Sequence, residues 1–231
     1  IILGQRPTDI AKRALAAALV AEGMKVAITG RDQASLDEAR RRITGPGTLE
    51  TVHADVRHYA DVERTMATIE QRFGGIDVLV NNAGVGVFAP VADMTPAQWS
   101  DIIDTNLTGV YNCCHVALPL LRKRGGGYII NISSLAGKNA FVGAGAYCAS
   151  KAALNQFAEV LNQEIRHDGI KVTTIAPGSV ATGFAGGATE AGADWKIAAT
   201  DIGDMVVDLL ELDQRSLPSY IELRPSKPPK K

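Results

Sequence analysis

Tyr147 and Lys151 are the residues of this 231-residue chain whose types and spacing speak most directly of proton chemistry. Four positions apart, they share one face of a helix. An unperturbed phenol has a pKa of about 10, too high to trade protons readily near neutrality. A neighbouring ammonium favours the phenolate and lowers that value. So tuned, Tyr147 could give a proton to a carbonyl oxygen or take one from an alcohol, a contribution of roughly 10²–10⁴-fold to a rate. Ser134 offers a hydroxyl to the same oxygen as charge develops there. Taken singly, Tyr147 reads as well as a packed aromatic and Lys151 as a solvated helix charge. Their register with Ser134 and Asn106 is what makes them a constellation.

The elements that must position these groups follow from hydrophobic periodicity. Apolar runs of strand length fall at 1–3, 25–29, 49–54, 78–80, 128–132, 172–175 and 220–223. Between them lie helix-length amphipathic stretches at 8–22, 35–43, 61–73, 96–124, 149–167 and 201–212. The 96–124 stretch reads as one or two helices interrupted near Pro119, because proline lacks an N–H and clashes with the preceding turn. Strands this apolar, separated by helices, predict a parallel sheet covered on both faces. Right-handed crossovers then give an α/β fold with a doubly wound sheet. In such a sheet ligands bind beyond the carboxyl ends of the strands. The polar and glycine-rich words fall at those ends: Gly4-Gln5-Arg6, Gly30-Arg31, Asp55-Val56, Asn81-Asn82-Ala83-Gly84, Ser133-Ser134 and Pro177-Gly178.

Composition narrows the class. Apolar residues are 46% and charged residues 21% of the chain, enough for a sizeable core. A net charge of −1 gives no global reason to expect nucleic acid or an anionic membrane surface as a partner. No apolar run approaches the ~20 residues of a membrane span, and no signal peptide is visible. Three cysteines, Cys113, Cys114 and Cys148, have neither disulfide nor zinc spacing. Free thiols predict a reducing, cytoplasmic setting. Residues 1–225 read as one domain, and the basic Pro/Lys-rich stretch 226–231 as a solvated, disordered tail.

Tyr147-Cys148-Ala149-Ser150-Lys151, with Ser134 and Asn106 upstream, Asn81-Asn82-Ala83-Gly84 before them and Pro177-Gly178 after, resembles the short-chain dehydrogenase/reductase family. The ending 217–225 is more similar to 3-hydroxy-acid dehydrogenase-like members than to 3-oxoacyl-carrier-protein reductases. The resemblance implies a Rossmann fold and a nicotinamide-dependent oxidoreductase interconverting a carbonyl and a secondary alcohol. It implies Asn106, Ser134, Tyr147 and Lys151 as the catalytic set, with Asn106 holding a water that links Lys151 to solvent. It favours Ser134 over its neighbour Ser133. Cys148, about 100° round the helix from Tyr147, reads as packing. The alternative is a catalytically weak or inactive cofactor-binding regulator on the same fold.

The implied cofactor contacts are Gly4, Arg6, Ile10, Arg31, Asp55, Val56, Asn82, Gly84, Tyr147, Lys151, Val180 and Thr182, with no metal. One departure stands out: Asp9-Ile10-Ala11 occupies the place of the family's Gly-Ile-Gly, and Thr8 or Asp9 reads equally as a helix N-cap. The helix N-terminus is still available to phosphate. Gly30-Arg31, without an acidic residue for the ribose 2′-hydroxyl, favours NADP(H), with NAD(H) as the alternative. The glycine- and alanine-rich stretch 183–200 reads as a lid over the substrate. Family members commonly form dimers or tetramers through the two long helices. An exposed apolar face of Val110, Cys113, Ala117, Phe157, Val160 and Leu161 is expected there.

Overall fold

The computed structural model describes residues 2–3, 10–182, 184 and 194–229. Gly4, Arg6 and the rest of the expected phosphate loop lie outside them. Ile10 is described as the first helical residue, without its side chain.

Seven strands form one sheet. They are β1 (Ile2–Leu3), β2 (Lys25–Gly30), β3 (Thr48–His53), β4 (Val78–Asn81), β5 (Gly127–Ile132), β6 (Ile170–Pro177) and β7 (Tyr220–Leu223). The order is β3-β2-β1-β4-β5-β6-β7, and all six pairings are parallel. The chain reverses its direction of travel across the sheet between β1 and β4, which opens the crevice that binds ligands in doubly wound folds.

Successive strand residues feed opposite faces, and both faces are buried. Ile129 joins one core with Leu79, Met66, Ile69 and Leu121, while Tyr128, Ile130 and Ile132 join the other with Leu15, Val26 and Ile28. The first core is covered by α3 (Tyr59–Phe73), α5 (Gly109–Lys123) and α6 (Gly145–Ile165). The second lies under α1 (Ile10–Ala21), α2 (Gln33–Arg42) and α7 (Ala199–Glu211). Local signals set the ends. The Asp32 carboxylate accepts from Ser35 N–H at 2.8 Å to start α2. Gly74, at φ 83°, closes α3 in the left-handed conformation that costs glycine little. Thr95 and Gln98 form a reciprocal capping box ahead of α4 (Pro96–Ile103).

Three expectations change. Pro119 does not interrupt its helix: α5 runs through it to Lys123. The irregularity sits earlier, in a π-helical turn, Asp104–Thr108, between α4 and α5. Helix α6 begins at Gly145 rather than 149, so Tyr147 and Lys151 both stand on it. And the expected exposed face is largely internal. Val110, Cys113, Ala117 and Leu161 are 0–4% exposed in the chain's own core, with Phe157 packed against it, and Val160 alone of the six is exposed. Their helical stripe faces the sheet.

Candidate active site

Strand β5 and helix α6 meet at the carboxyl edge of the sheet. Ser133 holds the two together: its Oγ donates to Asn155 Oδ1 at 2.5 Å. The next residue turns the other way. Ser134 is extended (φ −165°), and its Oγ accepts from Ala136 N–H at 3.1 Å to open a 3₁₀ turn. With that lone pair used, its own proton is left to donate.

Tyr147 is 8% exposed. Burial pushes the phenol above its ordinary pKa, and the nearby Ser134 hydroxyl pulls it back in part. Lys151 is also buried, and its Nζ donates to the Ile132 carbonyl at 2.9 Å, 6.0 Å from the centre of the Tyr147 ring. Burial lowers its ammonium from 10.5 to about 8, so it is still mostly protonated at neutral pH. The expected lowering of Tyr147 by Lys151 is therefore not what the geometry shows. The ammonium is turned onto the end of β5, and the hydroxyl that favours the phenolate is that of Ser134.

Asn106 lies in the π turn with no exposed surface. Its Oδ1 accepts from Val85 N–H at 2.8 Å, and its Nδ2 donates to Val85 C=O at 2.9 Å and to Ser150 Oγ at 3.0 Å. Ser150 in turn donates to the Tyr147 carbonyl at 2.8 Å. The amide is thus spent on joining the segment after β4 to α6. A side chain at Gly84 would stand 3.6 Å from Lys151 Nζ and 3.7 Å from Asn106 Oδ1, so the residue following Asn82-Ala83 borders both groups.

A cavity of about 870 Å³ opens along this edge. Asn82, Gly84, Ser134, Tyr147, Lys151, Val180 and Thr182 all line it. Asn106 stands behind it, and Arg31, Asp55 and Val56 are not among its lining residues. Asp55 is gripped by Arg57, whose Nε and Nη2 donate to its carboxylate at 3.0 and 2.6 Å, with Arg31 Nη1 at 3.8 Å. Val56 is 1% exposed and packs under Gly109, where a Cβ would come within 2.5 Å of it, so its side chain belongs to the core.

Phe88 and Phe141 line the cavity with no signal that the sequence reading used, and so do Pro228 and Pro229 of the stretch 226–231 expected to be a disordered tail. Phe88 follows the Asn-Asn-Ala-Gly word closely enough to be a candidate on position alone. Lys12 is another: 2% exposed on α1, with its Nζ donating to the Thr29 carbonyl at 3.2 Å. Lys151, Lys196 and Arg224 line the cavity, and no Asp or Glu is among the described lining residues. That donor set suits a polyanionic dinucleotide. Among the described residues, no cluster of His, Cys, Asp or Glu could hold a metal ion, and no helix is long and apolar enough to cross a membrane.

Residues 12–192 match the family model for short chain dehydrogenases. An uncharacterized oxidoreductase of Staphylococcus saprophyticus is 32% identical over 213 residues, covering 91% of each chain. A metagenomic short-chain oxidoreductase solved in complex with NADP superposes with TM-score 0.84 at 31% identity, covering 98% of this chain and 97% of its own. The closed form of a serine dehydrogenase complexed with NADP+ gives TM-score 0.86 at 28% identity, covering 96% and 94%. With a doubly wound parallel sheet and a Ser134–Tyr147–Lys151 edge on its α6 side, the chain belongs to the short-chain dehydrogenase family of oxidoreductases.

Proposed function

We propose that the chain is an NADP(H)-dependent oxidoreductase that interconverts a carbonyl and a secondary alcohol, with Tyr147 as the general acid and base. One observation carries this reading: Tyr147 and Ser134 line one cavity at the carboxyl edge of the sheet, with Lys151 buried beside them. The hydride at the carbonyl carbon would come from, or go to, a nicotinamide cofactor held along this edge. The chain's own groups handle the oxygen. Ser134, whose lone pair is taken by Ala136 N–H, donates to it, and Tyr147 delivers the proton or removes it. The Lys151 ammonium holds positive charge on the cavity side of α6 and would bond the cofactor's ribose. Asn106 positions Val85 and α6 through its side chain, so a water relay to Lys151 would use its main-chain carbonyl.

The choice of NADP(H) over NAD(H) rests on Arg31, held near Asp55 at the end of β2, and on the NADP complexes of two structural relatives. Asn82, Gly84, Val180 and Thr182 are the described residues that would border the nicotinamide half. Asp55 and Val56 would meet the adenine end. A homodimer or homotetramer in the cytoplasm completes the proposal. No feature of the described residues favours the regulator reading. The direct test is consumption of NADPH that depends on an added ketone or aldehyde; its absence across a broad panel contradicts the assignment.

A further inference from the structure

We propose that the substrate carries its carbonyl on a bulky apolar body, aryl or alicyclic, and is not a short polar hydroxy acid. The inference rests on the oxidoreductase reading and names the substrate class of that same site.

The cavity lining holds two apolar groups, one aromatic and one of prolines, with Asn139 and Arg224 beside them. The first is aromatic. The Phe88 ring stands edge-on to Tyr147 at 5.8 Å and edge-on to Phe141 at 5.5 Å, while Phe184 lies 5.4 Å from Tyr147 at a tilt. A Cβ on Gly86 would come within 2.9 Å of the Phe184 ring, so the absent side chain is what lets that ring approach. Phe88 and Phe141 are nevertheless 47% and 50% exposed, and Val142 beside them is 97% exposed. Large apolar side chains concentrated at a cavity mouth, next to the reacting hydroxyl, are surface waiting for an apolar ligand. The edge-to-face geometry leaves ring faces open to a further flat group.

The second wall is built by Pro225, Pro228 and Pro229, which follow β7. Proline offers no N–H, so these three residues donate nothing from the main chain. The wall is held in place where Gly178 meets Pro225: a Cβ on that glycine would lie 3.1 Å from the proline ring.

The polar groups of the cavity complete the argument. An amino or hydroxy acid needs a counter-charge for each ionised end, since an unpaired buried charge is costly. Among the described lining residues there is no carboxylate to receive an ammonium. The Arg224 guanidinium is engaged by Glu222 at 2.6 and 3.1 Å. Lys196 Nζ lies 5.8 Å from the Trp195 ring, and its neighbour Ile197 pairs with Val180.

Binding separates this claim from the one it rests on. The Tyr147→Phe protein, loaded with NADPH, is titrated calorimetrically with acetophenone and cyclohexanone, and with L-serine and 3-hydroxypropanoate. The ring ketones are expected to bind at least about tenfold tighter. One methylene in a hydrophobic pocket is already worth roughly 10–200-fold. Phe88→Ala, and separately Pro228→Gly with Pro229→Gly, should each weaken ring-ketone binding by about tenfold in the same background. Tighter binding of either acid, binding of neither class, or ring-ketone affinity indifferent to both sets of substitutions overturns the substrate class. Turnover by the wild type reports on the other claim. Ring ketones that bind the Tyr147→Phe protein but never drive NADPH oxidation by the wild type support the pocket reading and contradict the oxidoreductase.

Discussion

Asn106 Nδ2 and Ser150 Oγ stand 3.0 Å apart, and this one hydrogen bond ties the π turn to the helix that carries Tyr147 and Lys151. Removing the amide with Asn106→Ala strips buried partners from Val85 N–H, Val85 C=O and Ser150 Oγ. A buried polar group left unpaired costs about 1–3 kcal/mol. The variant should lose at least ~2 kcal/mol in urea denaturation and lose turnover through kcat more than through KM for NADPH. An Ala variant as stable as the wild type would show that the staple carries no weight.

Lys151 carries the opposite expectation for stability. Its ammonium is brought down by burial from 10.5 to about 8. The folded state therefore disfavours the charged form, and the cost is fully present below pH 8. It fades as the pH rises from 8 through 10.5, where the unfolded chain also sheds its proton. At about 1.4 kcal/mol per pKa unit, the cost is on the order of 3 kcal/mol, offset by about 1 kcal/mol for the bond to the Ile132 carbonyl. Lys151→Met should raise stability at pH 7, lose much of that gain by pH 9.5, and abolish turnover. A Met variant less stable than the wild type at pH 7 contradicts the burial argument.

Arg31 is the test of cofactor choice. Its Nη1 stands 3.8 Å from the Asp55 carboxylate, while Arg57 bridges Asp55 at 2.6 Å and Asp101 at 2.7 Å. A guanidinium at the end of β2 is suited to bidentate contact with a 2′-phosphate. Arg31→Ala should weaken NADPH by roughly 10–150-fold, the equivalent of a charge-assisted contact of ~1.5–3 kcal/mol, and NADH only slightly. Fluorescence titration of both cofactors decides it; equal losses, or a wild-type preference for NADH, rule the assignment out.

Of the face that the periodicity suggests for the proposed oligomer, only Val160 is exposed, and other exposed residues stand on α5 and α3. Tyr111 on α5 is 48% exposed, and Tyr59 bonds the imidazole of His115 at 2.8 Å to form an exposed aromatic cluster with it; Val160 on α6 is 45% exposed. Light scattering at micromolar concentration should give a multiple of 24.4 kDa. Tyr111→Glu should shift that mass toward the single chain. A clean mass of one chain for the wild type excludes the oligomer.

These outcomes bear on how much the residues alone disclose. The sheet is legible because its central strands are largely apolar and buried on both faces and the polar words sit at strand ends. The Tyr147, Ser134 and Lys151 edge is legible because helical spacing places two of the groups and β5 the third. The helix break is not. Proline at 119 is the usual signal, yet α5 carries it, and the π turn at Asp104–Thr108 has no distinctive residue type. An apolar helical stripe also does not say which surface it meets: Val110 and Leu161 meet the chain's own sheet. The Phe88–Phe141 contact joins two distant loops, so no local pattern announces it. Arg57 is hidden differently, as a residue of ordinary exposed type whose partner Asp55 reads from sequence as a cofactor contact.

The central claim is that the Tyr147 hydroxyl moves the proton. Tyr147→Phe keeps the ring between Phe88 and Phe184 and removes only that oxygen. Steady-state turnover of a ketone with NADPH should fall by at least the ~10²-fold typical of a lost general acid, while NADPH binding persists by fluorescence titration. A Phe variant that keeps more than about a third of wild-type turnover contradicts the assignment, because no general acid worth ~10²-fold would then have been removed.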